Sequence, residues 1–247
     1  MYIDDITLSE FLHEDDESKM SVLFNDVIQW SDSNNMNINI GKTKEMLIGS
    51  CKRVPDLICL NRADCIERVH AFKLLGVLIN SSLKWNDHVN SICSKASSRL
   101  YFLKLLKRSG VYIPDLLLYY NSVIVPVIEY CCPAWHTSLT KEQSHHIESI
   151  QKRAFSIIFG MSLRGIYSDF CIANNLDTLA DRRELVCKRF FSRSVIPESS
   201  CLHYLLPEQN DCTVIDKLRH KSRFNLLTVR TNRFRNSFIL YALEHYL

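Results

Sequence analysis

The chain has 247 residues, of which 47% are hydrophobic and 23% charged. That is enough apolar material for a packed core, so general disorder is excluded. With six Gly and six Pro, few turns are forced, which argues against a many-stranded sandwich or barrel. The net charge of +3 hides an asymmetry. Residues 1–50 hold 3 Lys/Arg against 10 Asp/Glu, and residues 51–247 hold 27 against 17. An acidic front beside a basic body suits an enzyme that holds cations on carboxylates and phosphates on Lys/Arg. The alternative is two solvated faces of unlike sign.

In chain order, Tyr2–Leu8 reads as a short strand or hairpin arm. Met20, Leu23, Phe24, Val27 and Ile28 recur at helical spacing and predict a helix over 16–35, ended by Asn34-Asn35. Short β-like pieces follow at 36–40, 45–48, 56–60 and 72–79. From Trp85 the period becomes helical. Val89, Ile92, Cys93, Ala96, Leu100, Leu103 and Leu106 form one stripe, with Lys95, Arg99 and Lys107 off it, and Gly110 is the stop.

Pro114-Asp115 opens a second helix of this body, ending near Cys131-Cys132-Pro133. Thr140-x-x-Gln143 is a capping box that starts a third, which runs to Gly160. Further helices are expected near 179–195 and 199–206, and the last 30 residues are basic and weakly patterned. Lys217, Arg219, Lys221, Arg223, Arg230, Arg233 and Arg235 fall in one acid-free stretch.

The apolar run 122–135 is broken by Pro126 and Glu129 and falls short of a clean membrane span. No basic leader precedes Asp4 and Asp5, so an intracellular protein is expected, in nucleus or cytoplasm. All ten cysteines are then expected to be reduced. They contain no C-x-x-C pair, so no structural zinc site is expected.

The chemistry-bearing residues are few. Tyr2-Ile3-Asp4-Asp5 places two carboxylates at the end of an apolar strand, where one could ligate Mg²⁺ as a hard oxygen donor. Gly41-Lys42-Thr43 fails as a phosphate loop, because the first Gly would fall on Met36. Lys42 is either a phosphate contact or an exposed turn lysine. Asp87, His88, His145 and His146 read as surface residues. No G-x-S-x-G is present, so acyl transfer has no support.

Taken together, Tyr2-Ile3-Asp4-Asp5, the stretch Trp30-x₃-Asn34-Asn35-Met36-x-Ile38-Asn39-x-x-Lys42-Thr43 and Phe72–Ile79 resemble the end of a polymerase palm. Leu83-Lys84-Trp85-x-x-His88-Val89, Tyr119–Tyr130 with Trp135, and Ile150-Gln151-Lys152-Arg153-Ala154 continue the same pattern. The order resembles the C-terminal half of a reverse transcriptase of a non-LTR, LINE-type, jockey-like retrotransposon, from residue 1 to about 160.

The resemblance implies an α+β fold. It would comprise a truncated antiparallel palm sheet with one helix over 1–82, a helical thumb over 83–160 and a basic helical extension over 161–247. It implies two-metal nucleotidyl transfer, with Asp4 and Asp5 as Mg²⁺ ligands and Lys42 as proton donor to pyrophosphate. Tyr2 would pack near the primer end, residues 72–79 including Lys73 and Gly76 would hold the primer, and Lys95 and Arg99 would lie along the backbone. The partners implied are an RNA template, a DNA primer and the missing N-terminal half of the polymerase. In the family, the fingers and the first catalytic Asp precede the Y-x-D-D turn, so the chain alone is expected not to polymerise. A non-catalytic nucleic-acid-binding remnant is the alternative, and a helical scaffold without nucleic acid is a third.

Overall fold

The computed structural model describes residues 5–12, 16–49, 54–59, 65–209, 224–225 and 228–247. It divides into two compact units, Met1–Lys84 and Trp85–Leu247. The segments 83–160 and 161–247, read separately from the sequence, share the second unit almost entirely.

The first unit is built on helix α1, Met20–Ser33. Met20, Phe24 and Ile28 repeat every four residues and fall on one face. Phe24 is buried in a small core with Ile58 and Ile66, and Met20, Ile28 and Ile40 pack around it. Asn35 takes a left-handed backbone, φ 54°, which ends the helix where the sequence predicted.

The strands are fewer and shorter than predicted. β1 (Lys44–Glu45) pairs in parallel with β2 (Glu67–Arg68), in the register Lys44↔Glu67 and Glu45↔Arg68. Side chains reinforce that register. Lys44 Nζ lies 2.6 Å from Glu67 Oε2, and Arg68 Nε lies 2.9 Å from Glu45 Oε2.

β3 (Ala71–Leu74) and β4 (Val77–Asn80) form an antiparallel hairpin. The run 72–79 read as one strand. It folds back because Leu75 and Gly76 both have positive φ, 44° and 91°, the backbone of a tight two-residue hairpin turn.

The expected palm sheet is thus replaced, among the described residues, by two separate two-stranded pairs. Residues 5–8 and 36–40 form no strand. At 36–40 the asparagines compete for the backbone. The Asn39 side chain accepts from the Lys42 N–H at 3.1 Å, and its carbonyl accepts from Thr43 Oγ1 at 2.9 Å, so the chain turns. Of the expected strand 56–60, one bridge remains, Cys59 opposite Cys65. These two cysteines are disulfide-bonded, which corrects the expectation that all ten are reduced. The bridge sets the two Cα atoms 3.9 Å apart, a proximity that the six-residue spacing did not announce.

The second unit is helical. α2 (Asn86–Arg108) buries Val89, Ile92, Cys93, Ala96, Leu100 and Leu103, the predicted stripe without Leu106. Gly110, φ 81°, follows its end. α3 (Ile113–Tyr119) passes through a π-helical turn, Tyr120–Ile124, into α4 (Val125–Glu129). The widened turn sits just before Pro126, which has no N–H to continue an α-helical ladder. Arg99 of α2 donates from its guanidinium to the Val123 carbonyl there.

The stretch Ile113–Ala134 is the one helical segment among the described residues long and apolar enough to cross a membrane. Its Leu116, Tyr120, Ile124, Val125 and Ile128 are buried within the unit, whereas Ile113, Leu118 and Tyr130 are exposed.

α5 (Lys141–Phe159) begins with the predicted capping box. Gln143 N–H donates to Thr140 Oγ1 at 3.2 Å, and Thr140 N–H donates to Gln143 Oε1 at 2.8 Å. Its Ile147, Ile150, Ala154 and Ile158 are buried along α2. α6 (Tyr167–Ala173) was not predicted, because its seven residues span two turns and show no full period. α7 (Leu179–Phe190) runs into a second π turn, Phe191–Val195. The helix expected at 199–206 is reduced to one 3-10 turn, His203–Leu205, after Pro197.

α8 (Asn232–Arg235) and α9 (Phe238–His245) close the described chain. Leu243 and Ala242 of α9 pack with Phe191, Val195 and Phe224 in a second core cluster.

One contact locks α7 to α5. The N-terminal N–H groups of a helix have no partner within it. Here Leu179 N–H donates to Gln151 Oε1 at 3.0 Å, and Ala180 N–H donates to Glu148 Oε1 at 2.7 Å. Tyr167 Oη donates to Glu148 Oε2 at 2.8 Å, and Gln151 Nε2 donates to the Asp177 carbonyl at 3.0 Å. A buried carboxylate at a helix N-terminus also meets the positive end of the helix dipole. Glu148→Ala removes the acceptor of the half-buried Ala180 N–H and one of the two acceptors of the Tyr167 hydroxyl, which keeps Gln151 Oε1, and should cost about 1–2 kcal/mol. Thermal melting of the full chain checks it. An unchanged melting temperature would count against the lock.

Candidate nucleic-acid interface

The residues predicted for catalysis are sparsely placed. Tyr2 and Asp4 lie outside the described residues. Asp5 is exposed in the first unit. Lys42 is exposed in the turn after Ile40, Lys73 is exposed on β3, and Gly76 is in the hairpin turn. Among the described residues, no group of three or more His, Cys, Asp or Glu could hold a metal ion. Those residues supply one carboxylate of the expected pair, Asp5, and do not form a Mg²⁺ site by themselves.

Lys95 and Arg99 lie on α2 in the second unit. Lys95 is exposed, whereas Arg99 is half-buried and engaged with the Val123 carbonyl. Neither lines a concavity that residues of α2 and α5 form in this unit. Of the basic stretch 217–235, residues Lys217, Arg219, Lys221 and Arg223 lie outside the described residues, and Arg230, Arg233 and Arg235 are exposed.

That concavity is a groove between α2 and α5, with a volume of about 700 Å³. Ser97, Tyr101 and Lys104 of α2 stand at i, i+4 and i+7 and so share one face. Ser149, Lys152, Arg153 and Ser156 do the same on α5. Ser162 and Arg164 close one end, and Leu100, Ile157 and Leu163 form the floor.

Four cations, four serine hydroxyls and the Tyr101 phenol line the groove, with no carboxylate. Two of the cations are already oriented. Arg153 Nη1 lies 3.3 Å from Ser97 Oγ across the two helices, and Lys152 Nζ sits 4.8 Å from the Tyr167 ring centroid. Cations with hydroxyl donors and no competing acid suit a polyanion backbone. Sequence reading missed this site because it followed the apolar stripe and took the cations beside it, Lys95 and Arg99. The available signal was a serine–cation pattern at helical spacing on both α2 and α5.

Behind the groove helices lies a buried polar cluster that the sequence did not reveal. His88, read as a surface residue, is buried between two tryptophans, with ring centroids 6.0 Å from Trp85 and 5.4 Å from Trp135. His145 and His146 are exposed as predicted. Arg183 is fully buried, with its Cζ 5.8 Å from the Trp135 ring. Its Nε donates to His136 Nδ1 at 3.3 Å, which fixes the histidine tautomer. His136 Nε2–H then donates to Glu184 Oε2 at 3.1 Å, and Tyr241 Oη donates to Glu184 Oε1 at 3.3 Å. Burial, and next the Arg183 charge, push His136 down to about 4, against the pull of Glu184. Burial, and next Lys95, also lower His88. Both rings are neutral at pH 7.

No protein-family model, curated protein or solved structure matches the chain.

The depressed histidines carry a pH dependence. In the unfolded chain they protonate near 6.5, and in the folded chain His136 resists until about 4. Below 6.5 the unfolded state therefore binds more protons, and stability falls with pH. His136→Gln should make the decline in melting temperature between pH 6.5 and 4 shallower than in the unmodified chain. Parallel curves would refute this assignment.

Proposed function

We propose that this chain is the C-terminal part of a non-LTR retrotransposon reverse transcriptase, and that its second unit holds nucleic acid through the α2–α5 groove. The observation that carries the nucleic-acid reading is the groove itself: Lys104, Lys152, Arg153 and Arg164 with serine hydroxyls and no carboxylate. The family reading rests on the order of the sequence segments. It gains support from how those segments pack. Trp85 and His88 come from one of them and Trp135 from another, and their rings meet in the core. Gln151, from the "IQKRA" segment, accepts from the Leu179 N–H at the start of α7.

In this reading the parent enzyme performs two-metal nucleotidyl transfer. Asp4 and Asp5 would hold Mg²⁺, Lys42 would supply a proton to pyrophosphate, and the hairpin carrying Lys73 and Gly76 would sit at the primer. Magnesium would supply activation of the attacking hydroxyl and charge neutralisation on the leaving group. Lys95 would add an exposed cation outside the groove. A non-catalytic nucleic-acid-binding role for this chain is favoured by one observation: every groove residue lies in 85–247, apart from the segment with the aspartates.

Binding of a primer–template with an unpaired template overhang tests the reading. For about four neutralised phosphates, log affinity should fall against log salt with a slope of roughly −3. Lys104→Ala and Arg164→Ala should each reduce that slope by about one. Asp4→Ala should leave binding in EDTA unchanged. Salt-independent affinity would sink the proposal.

A further inference from the structure

We infer that the α2–α5 groove takes an unpaired strand and holds a base of it against Tyr101; this rests on the nucleic-acid reading above. The first argument is size. The groove's volume of about 700 Å³ lies in the range of small-molecule sites, with room for roughly one or two nucleotides. Packed helices stand about 8–10 Å apart. A trough between two of them admits a single strand, whereas a duplex would rest on the rim and meet the cations only with one backbone.

The second argument is chemistry. Tyr101 lines the groove and leaves 60% of its surface in water, a large aromatic that the core does not use. The Phe102 ring stands 5.7 Å away at 75°, edge-on to it. An exposed aromatic face beside a row of cations is the combination that binds single strands: bases stack on the ring while phosphates meet Lys/Arg. Lys104 sits three residues on from Tyr101 on the same helix face, and Arg153 faces them from α5 at the Ser97 contact. The Ser97, Ser156 and Ser162 hydroxyls can donate to phosphate or to base edges, so no particular sequence is demanded.

Fluorescence anisotropy with the full chain tests it, using a labelled ten-nucleotide oligothymidylate and a blunt ten-base-pair duplex at one salt concentration. The single strand should bind at least tenfold more tightly. Tyr101→Ala should weaken single-strand binding about five- to a hundredfold and leave duplex binding within about twofold. Tyr101→Phe, which keeps the aromatic face, should retain single-strand affinity. Equal or tighter duplex binding, or a Tyr101→Ala chain that binds the single strand normally, overturns the inference and leaves the nucleic-acid reading standing. Failure to bind either oligonucleotide overturns both.

Discussion

The second unit depends on how the start of α7 is satisfied. A helix N-terminus brought into a protein interior carries N–H groups that water no longer reaches, and each needs an acceptor. α5 supplies them from Glu148 and Gln151, one turn apart on its buried face. Because Tyr167 of α6 donates to the same Glu148, three helices are tied through one carboxylate. A second tie runs from Glu129 at the end of α4 to Arg182 of α7, with Nε 2.6 Å from Oε1. Both ties are directional: the first fixes the rotation of α5, and the second fixes α7 against α4. The rotation that turns Glu148 and Gln151 inward turns Ser149, Lys152 and Arg153 outward toward α2.

The charge distribution of the unit follows from that geometry. Glu129, Glu148 and Glu184 are each consumed by an internal partner: Arg182, the start of α7, and His136 with Tyr241. None of these three acids lines the groove. The basic character counted along the sequence therefore becomes a local field in the groove, where hydrophobic walls below and water above focus it.

What was legible in the sequence was the part governed by local chemistry. The stripe on α2, the capping box of α5 and the asparagine end of α1 are each set by residues within a turn or two of one another. The strands were not legible, because short apolar runs such as 36–40 and 56–60 become strands only when a partner strand is present. Asn39 offers its own backbone a closer acceptor than any neighbouring strand. The hairpin at 71–80 was half legible: the apolar residues were seen, and the fold-back at Leu75-Gly76 was hidden by reading them as one run. The groove was hidden for a different reason. Its residues are spread over 97–164 and are unremarkable singly, and they form a site only once α2 and α5 lie side by side. His88 and Arg183 were misplaced or unread because polarity alone argues for the surface. The two tryptophans and the His136–Glu184 chain that shelter them come from distant positions.

The same reasoning explains why the groove can stay uncompensated in the free protein. Clustered cations repel one another and cost stability, and a fold with spare carboxylates would ordinarily pair them. Here Glu129, Glu148 and Glu184 each hold an internal donor, and withdrawing Glu148 would leave the half-buried Ala180 N–H without its acceptor. Surface pairs return little in any case, since exposed ion pairs contribute about 0–1 kcal/mol. The energetic balance thus favours leaving Lys104, Lys152, Arg153 and Arg164 facing water, softened by serine hydroxyls and the Tyr167 ring. A polyanion that settles there relieves the repulsion without disturbing any internal contact. On the proposed reading, binding would relieve that repulsion while leaving the internal contacts of α5 and α7 in place.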